Sequence, residues 1–267
     1  MSVESDEPIR LTRDGPVATI WLNRPAKRNA MNYAMWSRLG ELALQLGDDP
    51  ATRVVVVRGS GPHFCAGADI TELNVHRNPG EPPFSAVVAT AEAVLAGIPK
   101  PTVAFISGDC IGGGCSIAID CDLRLATGDA RFGITPAKLG IVYPSEALAR
   151  AVHLLGPAVT KRLLFTGELI PVTDARSVGL VDEVVADGED GEVRLATLTV
   201  VLASRSLLTQ SATKSMVSHI LAHGRVPQSV QEHWRDLAAG ASDSAEGVAA
   251  FVEKRTARFT WSGPDDI

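Results

Sequence analysis

No stretch of the 267 residues reaches the roughly 20 consecutive apolar residues that a membrane-spanning helix requires, so no membrane span is expected. Positive charge is in deficit. Lys and Arg number 25 against 31 Asp and Glu, a net charge of -6, which argues against non-specific binding to nucleic acid or anionic membrane, although a local basic patch could still hold a phosphate. Cysteine is sparse: Cys65, Cys110, Cys115 and Cys121 show no paired CxxC spacing and have no histidines placed to complete a zinc set, so no metal is expected. They read as reduced, buried small hydrophobes of a cytoplasmic protein. Met1 to Glu7 are polar and acidic with no basic stretch before an apolar run, and no secretory signal is expected there. Low-complexity segments are absent, and 45% hydrophobic with 21% charged residues is ordinary globular composition, long enough for one large domain with an appendage.

Three times a strand-like run leads through a turn towards helix-like sequence. Val17 to Leu22 meets Asn23-Arg24-Pro25 and then an apolar-periodic helix from about Tyr33. Val54 to Val57, a β-branched run of the kind buried on both faces, precedes a Gly/Pro turn and Ala68-Asp69-Ile70. Thr102 to Ile106 leads to Gly112-Gly113-Gly114 and an apolar helix through Ile119. Such units imply an α/β core of mainly parallel strands with right-handed crossovers, over residues 1–190. From residue 191 to 267 the pattern is helical: Glu192 to Arg205, Ser206 to His223, Ser229 to Ala239 and Ser242 to Arg258. Asp243-Ser244-Ala245-Glu246 is expected to cap the last helix, with Lys254, Arg255 and Arg258 at its C-terminal end. Asn78 to Pro83 and Gly188 to Gly191 read as surface loops.

The chemistry concentrates in Phe64-Cys65-Ala66-Gly67-Ala68-Asp69-Ile70 and Ile111-Gly112-Gly113-Gly114-Cys115-Ser116. Each follows a strand and is expected to open a helix, where glycines allow close backbone approach and free N–H groups face partial negative charge. Two such termini aimed at one carbonyl oxygen would form an oxyanion hole. Spacing excludes a P-loop and a dinucleotide fingerprint. Gly114-Cys115-Ser116-Ile117-Ala118 partly mimics a nucleophile elbow, with Ser116 as nucleophile and His153 or His63 as base, so a serine-type thioester hydrolase stays open.

In order and spacing, Leu22-Asn23-Arg24-Pro25 through Met31, Phe64 to Ile70, Gly112 to Cys115, Cys121-Asp122-Leu123, Phe132-Gly133, Lys138-Leu139-Gly140, Leu164 to Gly167, Ala175 with Gly179-Leu180-Val181, and Phe251 to Arg255 resemble the enoyl-CoA hydratase/isomerase (crotonase) family over nearly the whole chain. The resemblance implies an α/β, ClpP-like spiral of ββα repeats with a C-terminal helical region, assembling as a homotrimer or a hexamer. It implies an acyl-CoA thioester substrate, coenzyme A entering as part of that substrate and no other cofactor. Ala68 and Gly113 fall where the family's oxyanion donors lie. Ala30, Ala66, Asp69, Ile70 and Thr71 fall along the segments lining the CoA adenine and pantetheine, while Lys27 and Arg28 flank the nucleotide end. Phe251 and Lys254 match a helix that in many relatives comes from a neighbouring subunit.

Relatives that hydrate double bonds place one glutamate after Gly-Gly-Gly-Cys and another after Phe-Gly. Here those positions are Ser116 and Pro136, and neither is a carboxylate base. Tyr143 and Glu146 could supply replacement groups, and the run Phe132 to Tyr143 is similar to that of family decarboxylases acting on methylmalonyl-type CoA esters. Decarboxylation of a malonyl-type CoA or enoyl-CoA isomerisation is therefore expected ahead of hydration. A catalytically silent acyl-CoA binder is the remaining alternative.

Overall fold

The computed structural model describes residues 7–72, 80–186, 188 and 190–263. Met1 to Asp6, residues 78 and 79 of one expected loop and Glu189 of the other lie outside the described residues.

In chain order the strands are β1 (Ile9–Asp14), β2 (Val17–Leu22), β3 (Val54–Gly59), β4 (Thr102–Ile106), β5 (Asp109–Ile111), β6 (Leu123–Ala126), β7 (Arg131–Gly133), β8 (Ile170–Pro171) and β9 (Glu183–Val184). The helices are α1 (Tyr33–Asp48), α2 (Phe84–Gly97), α3 (Gly113–Asp120), α4 (Ser145–Thr166), α5 (Val172–Ser177), α6 (Gly191–Ser204), α7 (Leu207–His223), α8 (Gln228–Gly240) and α9 (Asp243–Glu253). One sheet runs β1-β2-β3-β4-β6-β9 and a smaller one β5-β7-β8. Parallel pairing dominates: among the described strands, β1–β2 and β7–β8 alone are antiparallel.

The unbroken β-branched run of β3 reflects burial on both faces. Val55 and Val57 enter the main core with Leu39, Leu42 and Leu46 of α1, while Val54 and Val56 meet Val103, Phe105 and Leu125 beneath Leu195 of α6. Asn32 starts α1 by accepting from the Met35 N–H (3.0 Å), and the helix buries Met35, Trp36, Leu39, Leu42, Ala43 and Leu46 along one stripe. Each large side chain so buried is worth about 1.5–3 kcal/mol.

The helical region is tied to the core by α6 and by Arg53. That guanidinium donates to the carbonyls of Ala203 (2.9 Å), Arg205 (2.7 Å) and Trp261 (3.3 Å). Two expectations need correction here. The last helix stops at Glu253 rather than near Arg258, because Lys254 turns left-handed (φ 54°). Arg255 then folds back onto Glu246 and the Arg258 N–H donates to the same carboxylate (2.6 Å). Glu246 is thereby held down to about 2, chiefly by the Arg255 hydrogen bond. Nor does Asp243 cap α9. Its carboxylate is buried and accepts from Ser206 Oγ (2.6 Å) and Trp261 N–H (3.4 Å), and Ser242 takes the cap position without a side-chain bond. No described helix is long and apolar enough to cross a membrane.

Candidate active site

Residues 64–69 run between two neighbours. On one side Ala66 N–H donates to Arg28 O (2.9 Å), Met31 N–H to Gly67 O (2.8 Å) and Asp69 N–H to Met31 O (2.8 Å); on the other, Ile111 N–H reaches Cys65 O (2.9 Å). Alternation along this segment turns the Ala68 N–H away from Met31. Ala68 does not open a full helix as expected; only a 3-10 turn, Ile70–Glu72, follows it. Gly113 does open α3, and as its first residue has no acceptor within the helix. Neither the Ala68 nor the Gly113 N–H has a described backbone acceptor.

Two glycines set the spacing between these amides. Gly67 adopts φ +101°, where a methyl would lie 2.9 Å from Ile111 O and 3.4 Å from the Gly113 nitrogen. Gly114 packs against the Cys65 backbone, and its missing Cβ is what lets α3 start there. A methyl on Gly113 would itself lie 3.4 Å from the Ala68 nitrogen and 3.1 Å from the Trp36 ring. Two amides this close can donate to one oxygen.

Ser116 sits three residues beyond Gly113, on the same face of α3. Its hydroxyl lies 2.7 Å from the Tyr143 hydroxyl. Tyr143 is partly buried against the core, and burial raises its phenol above the ordinary value. On α2, which packs against α3, is a group the sequence reading missed: Glu92, 2% exposed. Its carboxyl pairs with Arg150 Nη2 at 2.7 Å. Arg150 also pairs with Asp120, at the end of α3 and likewise buried. Burial raises both carboxyls. A signal was present in the sequence, since Glu92 is the one charged residue of the Phe84–Gly97 helix.

Glu146 lies in the first turn of α4, exposed, accepting from Ser145 Oγ (2.9 Å). Its carboxyl is lowered, first by its own backbone N–H and then by Ser145. Pro136, half-buried, begins a 3-10 turn whose other two residues are exposed. His63 Nδ1 accepts from the Asp109 N–H (3.1 Å), and neither it nor His153 is hydrogen-bonded to Ser116, so no serine–histidine pair forms.

Lys27, Arg28, Ala30, Ala66, Asp69, Ile70 and Thr71 share one wall. Arg24 ties it together by donating to Ala30 O (2.8 Å) and Asp69 Oδ2 (3.2 Å). Thr71 Oγ1 donates to Asp69 Oδ1 (2.7 Å), the main reason that carboxyl is lowered. Lys27 and Arg28 are exposed, Arg28 reaching Asp109 at 3.4 Å, and Ile70 is 62% exposed. Phe251, 85% exposed on α9, and Lys254 share no described hydrogen bond, ion pair or apolar cluster with this wall.

The family model for enoyl-CoA hydratase/isomerase matches residues 12–262. A crotonyl-CoA hydratase of Syntrophomonas wolfei is 30% identical, the match covering 95% of this chain and 98% of that protein. The human mitochondrial enoyl-CoA hydratase domain-containing protein 2 is 30% identical over 92% of this chain and 86% of its own length. Among solved structures, an enoyl-CoA hydratase/isomerase family protein from Hyphomonas neptunium superposes with a TM-score of 0.88 at 33% identity, covering 96% of this chain and 98% of that one. This fold, with its paired glycine-bounded amides, is that of an acyl-CoA-processing crotonase. The chain belongs to the enoyl-CoA hydratase/isomerase family.

Proposed function

We propose that this chain decarboxylates a malonyl-type acyl-CoA through a thioester enolate, in preference to hydrating a 2-enoyl-CoA. The Ala68 and Gly113 N–H groups serve as the oxyanion hole, the thioester oxygen accepting from both as negative charge develops on it. The observation that carries the reading is the Ser116–Tyr143 hydroxyl pair, 2.7 Å apart, one turn along α3 from Gly113. Hydration needs a base to deprotonate water, and general acid–base catalysis is typically worth about 10²- to 10⁴-fold. Ser116 and Pro136 offer no carboxylate for it. Loss of CO₂ leaves its electron pair on the α-carbon without any base, and the enolate then needs one proton, which the Tyr143 phenol supplies. Exposed Glu146 does not favour the isomerisation assigned to it from sequence.

The CoA moiety is proposed to lie along the wall of Lys27, Arg28, Ala30, Ala66, Asp69, Ile70 and Thr71, its phosphates near the two cations. Homotrimeric or hexameric assembly goes with this reading: Val248, Phe251 and Val252 form an exposed apolar stripe on α9, and a neighbour would bring Phe251 and Lys254 to the nucleotide. A cytoplasmic location, expected from the unpaired cysteines, is kept. The test is to incubate the protein with methylmalonyl-CoA, crotonyl-CoA and a 3-enoyl-CoA and analyse the products. CO₂ release from the first with weak hydration of the second is expected. Fast hydration, or 3-enoyl conversion without CO₂ release, would overturn the reading.

A further inference from the structure

Asp109 and Arg131 are register partners across β5 and β7, and they meet Arg28 of the wall described above. The Asp109 side chain is 1% exposed, and two guanidiniums converge on its carboxylate. Arg131 takes Oδ1 through Nη2 (2.6 Å) and Nε (3.1 Å), while Arg28 Nη1 reaches Oδ2 at 3.4 Å. His63 Nδ1 accepts the Asp109 N–H (3.1 Å), so the histidine does not serve the carboxylate. A buried carboxylate needs a well-placed cation, and the two-point Arg131 contact supplies one. Arg28 is surplus positive charge. The Arg28 side chain is 63% exposed and that of Arg131 55%, and neither has another described side-chain hydrogen bond. A guanidinium carries five N–H donors, so most of those on this pair are left for an external acceptor.

The cluster is placed for an anion at the far end of the substrate. Asp109 opens β5 and Gly113 lies two residues past its end, at most ~13 Å along an extended chain. Arg28 belongs to the same wall, its C=O accepting from the Ala66 N–H (2.9 Å) two residues before Ala68. A thioester held by Ala68 and Gly113 and lying along that wall brings its nucleotide end towards the two arginines. We propose that Arg131 is a further coenzyme A-binding residue, which with Arg28 clamps a phosphate of the nucleotide, and that Asp109 is the positioning residue that sets the two guanidiniums side by side. This rests on the acyl-CoA reading above. Two planar forks presented together match the several oxygens of a phosphate, which a single mobile lysine does not. One carboxylate against two guanidiniums, with exposed Lys27 next in the chain, leaves the patch positive against the net charge of the whole protein.

The experiment is calorimetric titration of the full-length protein with CoA and with dephospho-CoA, which lacks the 3′-phosphate and keeps the diphosphate. Wild type is compared with Arg131→Gln, Arg131→Lys and Asp109→Asn. Because Arg131→Gln strands a buried carboxylate, it is also made together with Asp109→Asn, which removes that charge. Arg131→Gln, alone or in the double variant, should raise the Kd for CoA roughly 10-fold, the low end for a charge-assisted contact because Arg131 is half exposed. Asp109→Asn should weaken CoA binding in the same direction, and Arg131→Lys should restore part of the loss. If the clamp holds the 3′-phosphate, wild type and Arg131→Gln bind dephospho-CoA equally; if it holds the diphosphate, Arg131→Gln weakens both ligands by the same factor. Either pattern supports a phosphate contact. On an acyl-CoA that is turned over, KM should rise in Arg131→Gln and Asp109→Asn with kcat unchanged, a split that a disturbed oxyanion hole does not give. CoA affinity equal to wild type in both the single and the double Arg131 variants overturns the proposal and leaves the acyl-CoA reading standing. A fall in kcat with unchanged Kd in Asp109→Asn overturns its positioning role. A wild type that binds no CoA overturns both readings.

Discussion

Replacing Gly114 by Ala puts the positioning of the Gly113 amide under direct strain. Gly114 has ordinary helical φ, so propensity alone favours Ala by about 0.8–1 kcal/mol. The added Cβ, however, would lie 2.9 Å from the Cys65 Cβ and 3.1 Å from the Cys65 carbonyl carbon, with the Cys65 carbonyl oxygen closer still. Those neighbours belong to Cys65, whose N–H and C=O are both held, by Asp109 O and the Ile111 N–H, and cannot swing aside, so the start of α3 must move. Overpacking of this kind costs roughly 1–3 kcal/mol, leaving a net stability loss of about 0–2 kcal/mol after the propensity gain. The larger effect should fall on turnover, because a shifted α3 withdraws the Gly113 N–H from the point it shares with Ala68. Losing one such donor typically lowers kcat by about 10²- to 10³-fold. Gly97→Ala is the control: it lies in α2 with nothing within 4 Å of its added Cβ and should keep both activity and stability. Denaturant unfolding and steady-state kinetics on a turned-over acyl-CoA measure the two effects. A Gly114→Ala protein with undiminished kcat would refute the view that the Cys65–Gly114 contact sets the donor geometry.

Removing either hydroxyl of the Ser116–Tyr143 pair should lower turnover, and Ser116→Ala with Tyr143→Phe together should cost little more than one alone; full additivity in that double-mutant cycle would show that the two do not act as a unit. Glu92 and Asp120 bind protons more tightly folded than unfolded, where their values are 4.5 and 3.8. Their contribution to stability is therefore fully present below those values and falls as pH rises through them towards the raised folded values. Urea titrations across that range should show a steeper loss for wild type than for Glu92→Gln, and parallel curves would contradict it. Asp243→Ala should cost about 1–3 kcal/mol in thermal or chemical unfolding, because Ser206 Oγ and the Trp261 N–H lose a buried acceptor; a change within error would show that water replaces it.

Strands and the two glycine-rich turns were legible because their signals are local. A β-branched run such as Val54 to Val57 admits one environment, and Gly112-Gly113-Gly114 before an apolar stretch marks a strand-to-helix passage. The helical region was also legible from periodicity, apart from its end, where Lys254 turns left-handed and Glu246 takes the Arg255 guanidinium and the Arg258 N–H. Those long-range partners carry no local pattern. For the same reason Ser116 and Tyr143 could be suspected separately, 27 residues apart, but not seen to touch. Glu92 went unread because the sequence does not say which face of α2 meets α3. Glu146 looked equivalent on the page, yet its place in the first turn of α4 leaves it exposed beside Ser145.

Gly113→Pro compared with Gly113→Ala separates the N–H from everything else at that position. Both add a Cβ that must displace the Trp36 ring, 3.1 Å away, but only Pro removes the amide hydrogen, and the first position of a helix accepts Pro's fixed φ. On any acyl-CoA that the wild type turns over, the Pro variant should be slower than the Ala variant by about 10²- to 10³-fold in kcat. Equal rates for the two variants would contradict the assignment of the Gly113 N–H as a donor to the thioester oxygen.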